Sequence, residues 1–99
     1  MPALRNAMRP IHPGEILREE YLVPLRMSAN VLAHAIGVSA NRVSSILAGE
    51  RAVTADTALR LARAFDTTPE FWLNMQQSYD LRVAETENPV DLRGIRRVV

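Results

Sequence analysis

The sequence predicts an all-α protein of five helices followed by a short C-terminal tail. Three observations carry that prediction. Apolar residues recur at helical spacing; Ala58, Leu61, Ala62 and Phe65 fall at i, i+3, i+4 and i+7. Helix-starting residues precede such patterns (Ser28, Ser39, Thr54, Thr68), and helix-stopping residues follow them (Pro24, Gly37, Gly49, the Asn88-Pro89 pair). No stretch sustains the alternation of a strand, and no repeat of fixed period occurs.

In chain order, residues 1–11 show no stable period and are expected to form an N-terminal arm. A first helix starts near Pro13, because proline's fixed φ suits a first turn. Ile16, Leu17, Tyr21 and Leu22 make its apolar stripe, and Pro24 is expected to end it. Ser28 caps a second helix, on which Ala29, Leu32, Ala33 and Ile36 share a face. Gly37 ends that helix in a left-handed C-cap. Ser39 caps a third, Ala40 to Ala48, which Gly49 stops; Thr54 caps the fourth. Thr68-Pro69-Glu70 then supplies a cap, an N1 proline and an acid where the helix dipole favours one. The fifth helix runs from Pro69 to about Val83. In the tail, Leu92, Ile95 and Val98 have near-helical spacing interrupted by Gly94, so a short helix and a strand both stay open.

Composition narrows the function. With 99 residues the chain suits one domain. It has no cysteine, so no disulfide and no thiolate metal site. No apolar run has the length of a signal peptide core or membrane span, so a cytoplasmic protein is expected. Net charge is only +1, but every basic residue is arginine. Arg5 and Arg9 lie in the arm, Arg42 and Arg51 in and just past the third helix, and Arg93, Arg96 and Arg97 in the tail. Arginine's planar fork matches phosphate and guanine, so placement matters more than the sum. Catalysis finds no support. His12 and His34 lack metal-ligand spacing, adjacent Glu19 and Glu20 point different ways on a helix, and no glycine-rich phosphate loop occurs. No enzyme activity, cofactor or metal is expected.

The informative stretch is "LAHAIGVSANRVSSILAGE", Leu32 to Glu50. Small Ala33 allows two helices to cross closely, and Gly37 permits the positive φ of a tight turn. Val38 plugs the turn, while Val43 and Ile46 anchor the next helix. This is a helix-turn-helix, and its second helix enters the DNA major groove by its N-terminal end. Asn41 and Arg42 sit in that first turn, where asparagine can pair with adenine and arginine with guanine. Ser44 and Ser45 are short enough for close approach. Ser39 and the free N–H groups beside it suit a phosphate, and Arg51 suits another. The DNA-binding set is therefore Ser39, Asn41, Arg42, Ser44, Ser45 and Arg51. Three segments result: the arm, 1–11; a domain, 12–84, with the helix-turn-helix at about 28–48; and the tail, 85–99.

The fifth helix is apolar over more than the roughly 100° stripe a monomer needs. Its Trp72, Met75 and Tyr79, with Leu92 and Ile95 of the tail, are expected to form a two-fold dimer interface, which is self-complementary. Such a dimer would set two recognition helices about 34–36 Å apart and read a palindrome. The competing arrangement folds the tail over its own fifth helix and leaves a monomer.

Three stretches, "HPGEILREEYL", "LAGERAVTADTALRLARAF" and "TPEFWLNMQQSYDL", resemble the HigA branch of the lambda-repressor-like (Xre) family. The likeness runs from about His12 into the tail. It implies a five-helix lambda-repressor-like DNA-binding domain and a homodimer on palindromic double-stranded operator DNA. It also implies an antitoxin of a type II toxin-antitoxin system, neutralising a HigB-type toxin (a RelE-like ribonuclease that cleaves mRNA) and repressing its own operon. The alternative is a stand-alone Xre-type transcriptional regulator without a toxin. Two positions depart from the family: Ala29, where relatives often carry glutamine, and Ala40, where they often carry a basic or polar residue. Both weaken the expected DNA affinity and leave the fold untouched. For the toxin, the arm and first helix are the expected surface, through Glu15, Glu19 and Glu20.

Overall fold

The computed structural model describes residues 9–99. Residues 1–8, which hold most of the expected arm and Arg5, lie outside the described residues. Five helical segments follow one another: α1 (13–25), α2 (Ala29–Ile36), α3 (Ala40–Leu47), α4 (Ala55–Phe65) and α5 (69–87). No strand occurs among the described residues, and none of their helices is long and apolar enough to cross a membrane.

The four capping residues read from the sequence all cap. The Ser28 and Ser39 hydroxyls accept from the N–H groups of Val31 and Arg42, each at 3.1 Å. Thr54 does so for Thr57 at 3.5 Å, and Thr68 for Phe71 at 3.1 Å. Each satisfies one of the orphan donors of a helix start, worth about 1 kcal/mol. Gly37 takes the left-handed conformation at φ 73°, as its place after α2 requires.

Two expected helix ends are corrected. Pro24 does not end α1; the helix reaches Leu25, and left-handed Arg26 closes it. A wider π turn over Leu17–Leu22 precedes the proline, and the Val23 N–H reaches back to the Arg18 carbonyl. The ladder thus changes register just before a residue with no N–H to give. At the other end, α5 continues past Arg82 through a π turn, Val83–Glu87. The tail therefore begins at Asn88 rather than at residue 85. It is neither helix nor strand. A turn closed by the Ile95 N–H on the Leu92 carbonyl, 3.0 Å, is its main feature. Every residue from Asn88 onward is exposed, so the tail does not fold over α5.

The core lies where α1, α2, α3, α4 and α5 meet. Leu17, Leu32, Val43, Ile46, Ala58, Leu61 and Trp72 are all at most 2% exposed. Burying a leucine or isoleucine of this kind stabilises by about 1.5–3 kcal/mol. Trp72 is the largest of these side chains, and its indole N–H donates to the Thr67 hydroxyl at 2.8 Å. A ring buried inside one chain has no face for a second, so Trp72 leaves the expected dimer interface.

Candidate nucleic-acid interface

Val43 and Ile46 pin one edge of α3 in the core. The opposite edge is free, because residues 41 and 44 fall on the outer side of a helix held at 43 and 46. Asn41 and Ser44 are exposed and Ser45 is half-buried. The Ser44 hydroxyl donates to the Asn41 carbonyl at 3.2 Å. Ser39 uses its oxygen as a cap acceptor, which leaves its O–H free to donate to an anion.

Arg42 behaves differently from a residue aimed straight outward. It leans across to α4, where its Nη1 donates to Asp56 Oδ2 at 2.7 Å. The same oxygen accepts from Arg60 Nε at 3.0 Å. Hydrogen bonds from Arg42 first, and then from Arg60, hold the Asp56 carboxyl below the ordinary aspartate range. Arg60 Nη1 also donates to the Ile36 carbonyl at 2.8 Å, at the C-terminal end of α2. A second arginine finishes α3: Arg18 Nη1 donates to the Leu47 carbonyl at 3.2 Å. Both helices of the motif thus end on a guanidinium, which suits the negative end of a helix dipole.

Arg51 follows α3 on a loop and makes no ion pair with any described residue. With Arg42, Arg60, Thr54, Asp56 and Thr57 it lines a shallow polar concavity between the starts of α3 and α4. Three arginines against one aspartate leave that hollow positive, and the guanidinium fork is matched to phosphate geometry.

The Arg51 loop is fixed from below by residues that sequence reasoning missed. Buried Gln76 of α5 accepts from the Val53 N–H at 2.8 Å and donates to Asp80 at 3.0 Å. His12 is buried beside Gly49, edge-on to Tyr79 with ring centroids 4.9 Å apart. Its Nδ1 caps α1 by accepting from the Gly14 N–H at 2.9 Å. Burial lowers the imidazole's pKa; the Asp80 charge and the Arg51 backbone carbonyl oppose that shift. One signal was available: a proline at N1 makes the residue before it the cap, even when that residue is histidine.

On the far side, Met75 and Tyr79 are half-buried. They line a groove between the start of α1 and α5 with Ile11, Ile16, Phe71 and Arg82. Leu92 and Ile95 stand exposed in the tail, so the structure does not bring them to that groove within one chain. The acidic residues of α1 are largely paired. Glu15 makes two hydrogen bonds with Arg9, 3.1 and 2.9 Å, which hold its carboxyl below the usual range, and Glu19 meets Arg18 at 3.2 Å.

A helix-turn-helix family model matches residues 17–72. The chain belongs to that family. Antitoxin HigA-1 of Vibrio cholerae is 45% identical over 78% of this chain and 72% of its own length. Virulence-associated protein I of Dichelobacter nodosus is 54% identical over 88% of this chain and 81% of its own. Among solved structures, Pseudomonas aeruginosa antitoxin HigA with the higBA promoter superposes with a TM-score of 0.84 at 43% identity, covering 92% of this chain and 99% of that one. These likenesses put the chain in the HigA-type branch of the family, and its five helices, with no strand among the described residues, are the architecture expected from the sequence.

Proposed function

We propose that this HigA-type chain is the antitoxin of a type II toxin-antitoxin pair. As a homodimer it binds a palindromic double-stranded operator, represses its own operon, and neutralises a HigB-type mRNA-cleaving toxin. The observation that carries the DNA half is the free edge of α3. It presents Asn41 and Ser44 beside an arginine-lined hollow, while the opposite edge is locked in the core. The likeness to an antitoxin solved with its promoter supports the same reading. Asn41 reads a base edge, with Ser44 and Ser45 allowing close approach. Ser39 and Arg51 hold phosphates, and Arg42 approaches the groove from its place beside Asp56.

Operator titration tests this. Asn41→Ala is expected to weaken specific binding by about 1–3 kcal/mol with the fold intact, since Asn41 is exposed. Arg51→Ala should weaken binding to all sequences alike and reduce the slope of log affinity against log salt by about 1. Unchanged operator affinity in both variants would reject α3 as the reading helix.

The toxin half rests on the HigA-type kinship. Co-expression of this chain is expected to restore growth to cells producing a HigB-type toxin encoded beside it, if its gene has such a neighbour. Operator binding without rescue would leave a stand-alone regulator instead. Charge reversal at Glu15, Glu19 and Glu20 then asks whether α1 is the toxin surface.

A further inference from the structure

We propose that Asp56 is a positioning residue that sets how sharply this protein separates its operator from other DNA. The inference rests on the DNA-binding reading above.

A carboxylate beside a surface that meets a polyanion is unfavourable for affinity, since it repels every phosphate alike. Asp56 occupies such a place, at the start of α4 and within the arginine-lined hollow. Its contacts supply the reason. Oδ2 takes Arg42 of α3 at 2.7 Å and Arg60 of α4 at 3.0 Å. Arg60 continues to the carbonyls of Ile36 and Gly37, at 2.8 and 3.4 Å. The end of α2, the glycine turn, the start of α4 and the first turn of α3 are thus joined by one run of charge-assisted hydrogen bonds. Such bonds are about twice as strong as neutral ones. They straddle the turn, so they fix the angle at which α3 leaves it.

Arg42 gains from the same arrangement. A guanidinium has five donors. Asp56 occupies one and fixes the plane of the rest, so the remaining donors meet DNA in a set direction. Arginine's long side chain loses much rotamer freedom when it is ordered, and Asp56 imposes that order before DNA arrives. Asp56 therefore lowers affinity for DNA in general and raises discrimination.

The test uses Asp56→Asn, which keeps the shape and removes the charge. Binding is measured to the promoter upstream of the chain's own gene and to a scrambled duplex of equal length. Affinity for the scrambled duplex should rise, affinity for the promoter should fall, and their ratio should drop about tenfold or more. In an Arg42→Ala background the same substitution should leave the ratio unchanged, because the positioned group is gone. Without DNA, amide hydrogen exchange at Gly37 to Val43 should quicken in Asp56→Asn. A uniform rise for both duplexes would make Asp56 a solvated acid and overturn the inference. So would a lowered melting temperature with an unchanged ratio, or an undiminished effect without Arg42. A wild-type chain that binds its promoter no better than the scrambled duplex would overturn the DNA-binding reading, and this inference with it.

Discussion

Replacing Gly14 by alanine is expected to destabilise the protein by about 3 kcal/mol, the upper end of what overpacking usually costs. In a domain of this size that lowers the melting temperature by roughly 12–24 °C. A Cβ at Gly14 would overlap the Ile46 carbonyl oxygen and stand 2.7 Å from its carbon. Both are backbone atoms, which cannot turn aside as a side chain can. Propensity pulls the other way: Gly14 is helical without positive φ, and alanine there gains about 0.5–1 kcal/mol. The clash is the larger effect, because relieving it means moving α1 away from α3 and opening the contact around Leu17 and Ile46. Since Ile46 anchors α3, the proposed recognition helix, operator affinity should fall with stability. Gly94→Ala is the control, because nothing lies within 4 Å of a Cβ there and no shift is expected. Thermal unfolding of both variants at equal protein concentration decides it. A Gly14→Ala chain that melts with the wild type would mean that α1 and α3 are not in this close contact.

What could be read in the sequence was local. A cap and the N–H it satisfies are three residues apart, so Ser28, Ser39, Thr54 and Thr68 announce themselves. So did the glycine turn between α2 and α3. The contacts that set the proposed DNA face are distant: Arg42 reaches Asp56 across 14 positions, Gln76 reaches Val53 across 23, and Arg60 reaches Ile36 across 24. No period links such pairs, although Asp56 and Arg60 at i, i+4 already marked half of one network. Trp72 shows the converse failure. A wide apolar arc on α5 was legible, but not which part turns inward, since Thr67 and Tyr21 fix that choice only in three dimensions. The change of hydrogen-bond register before Pro24 was equally hidden. Proline normally argues for a helix end, and here a π turn accommodates it.

Truncation after Asn88 is expected to weaken dimerisation and to lower operator affinity by about two orders of magnitude. The argument starts from two apolar surfaces that one chain leaves uncovered. Val90, Leu92 and Ile95 are 60, 63 and 70% exposed. The groove holding Ile11, Ile16, Phe71, Met75 and Tyr79 is open on the other side of α5 from the core. A tail without helix or strand has no core of its own, so its apolar residues find burial only against another surface. A two-fold dimer buries both surfaces at once, because a self-complementary interface counts every contact twice. Met75, Tyr79, Leu92 and Ile95 are its proposed members. The DNA consequence follows from linkage. With two reading helices in one particle, the second half-site is bound at high effective concentration, which raises overall affinity by about 10²–10⁴. A monomer binds each half-site alone and loses that gain. Sedimentation and operator titration of the truncated and full-length chains measure the two effects separately. A truncated chain that stays dimeric and keeps its operator affinity would move the interface to α5 alone. A full-length chain that is monomeric at micromolar concentration would reject the dimer, and with it the palindromic operator.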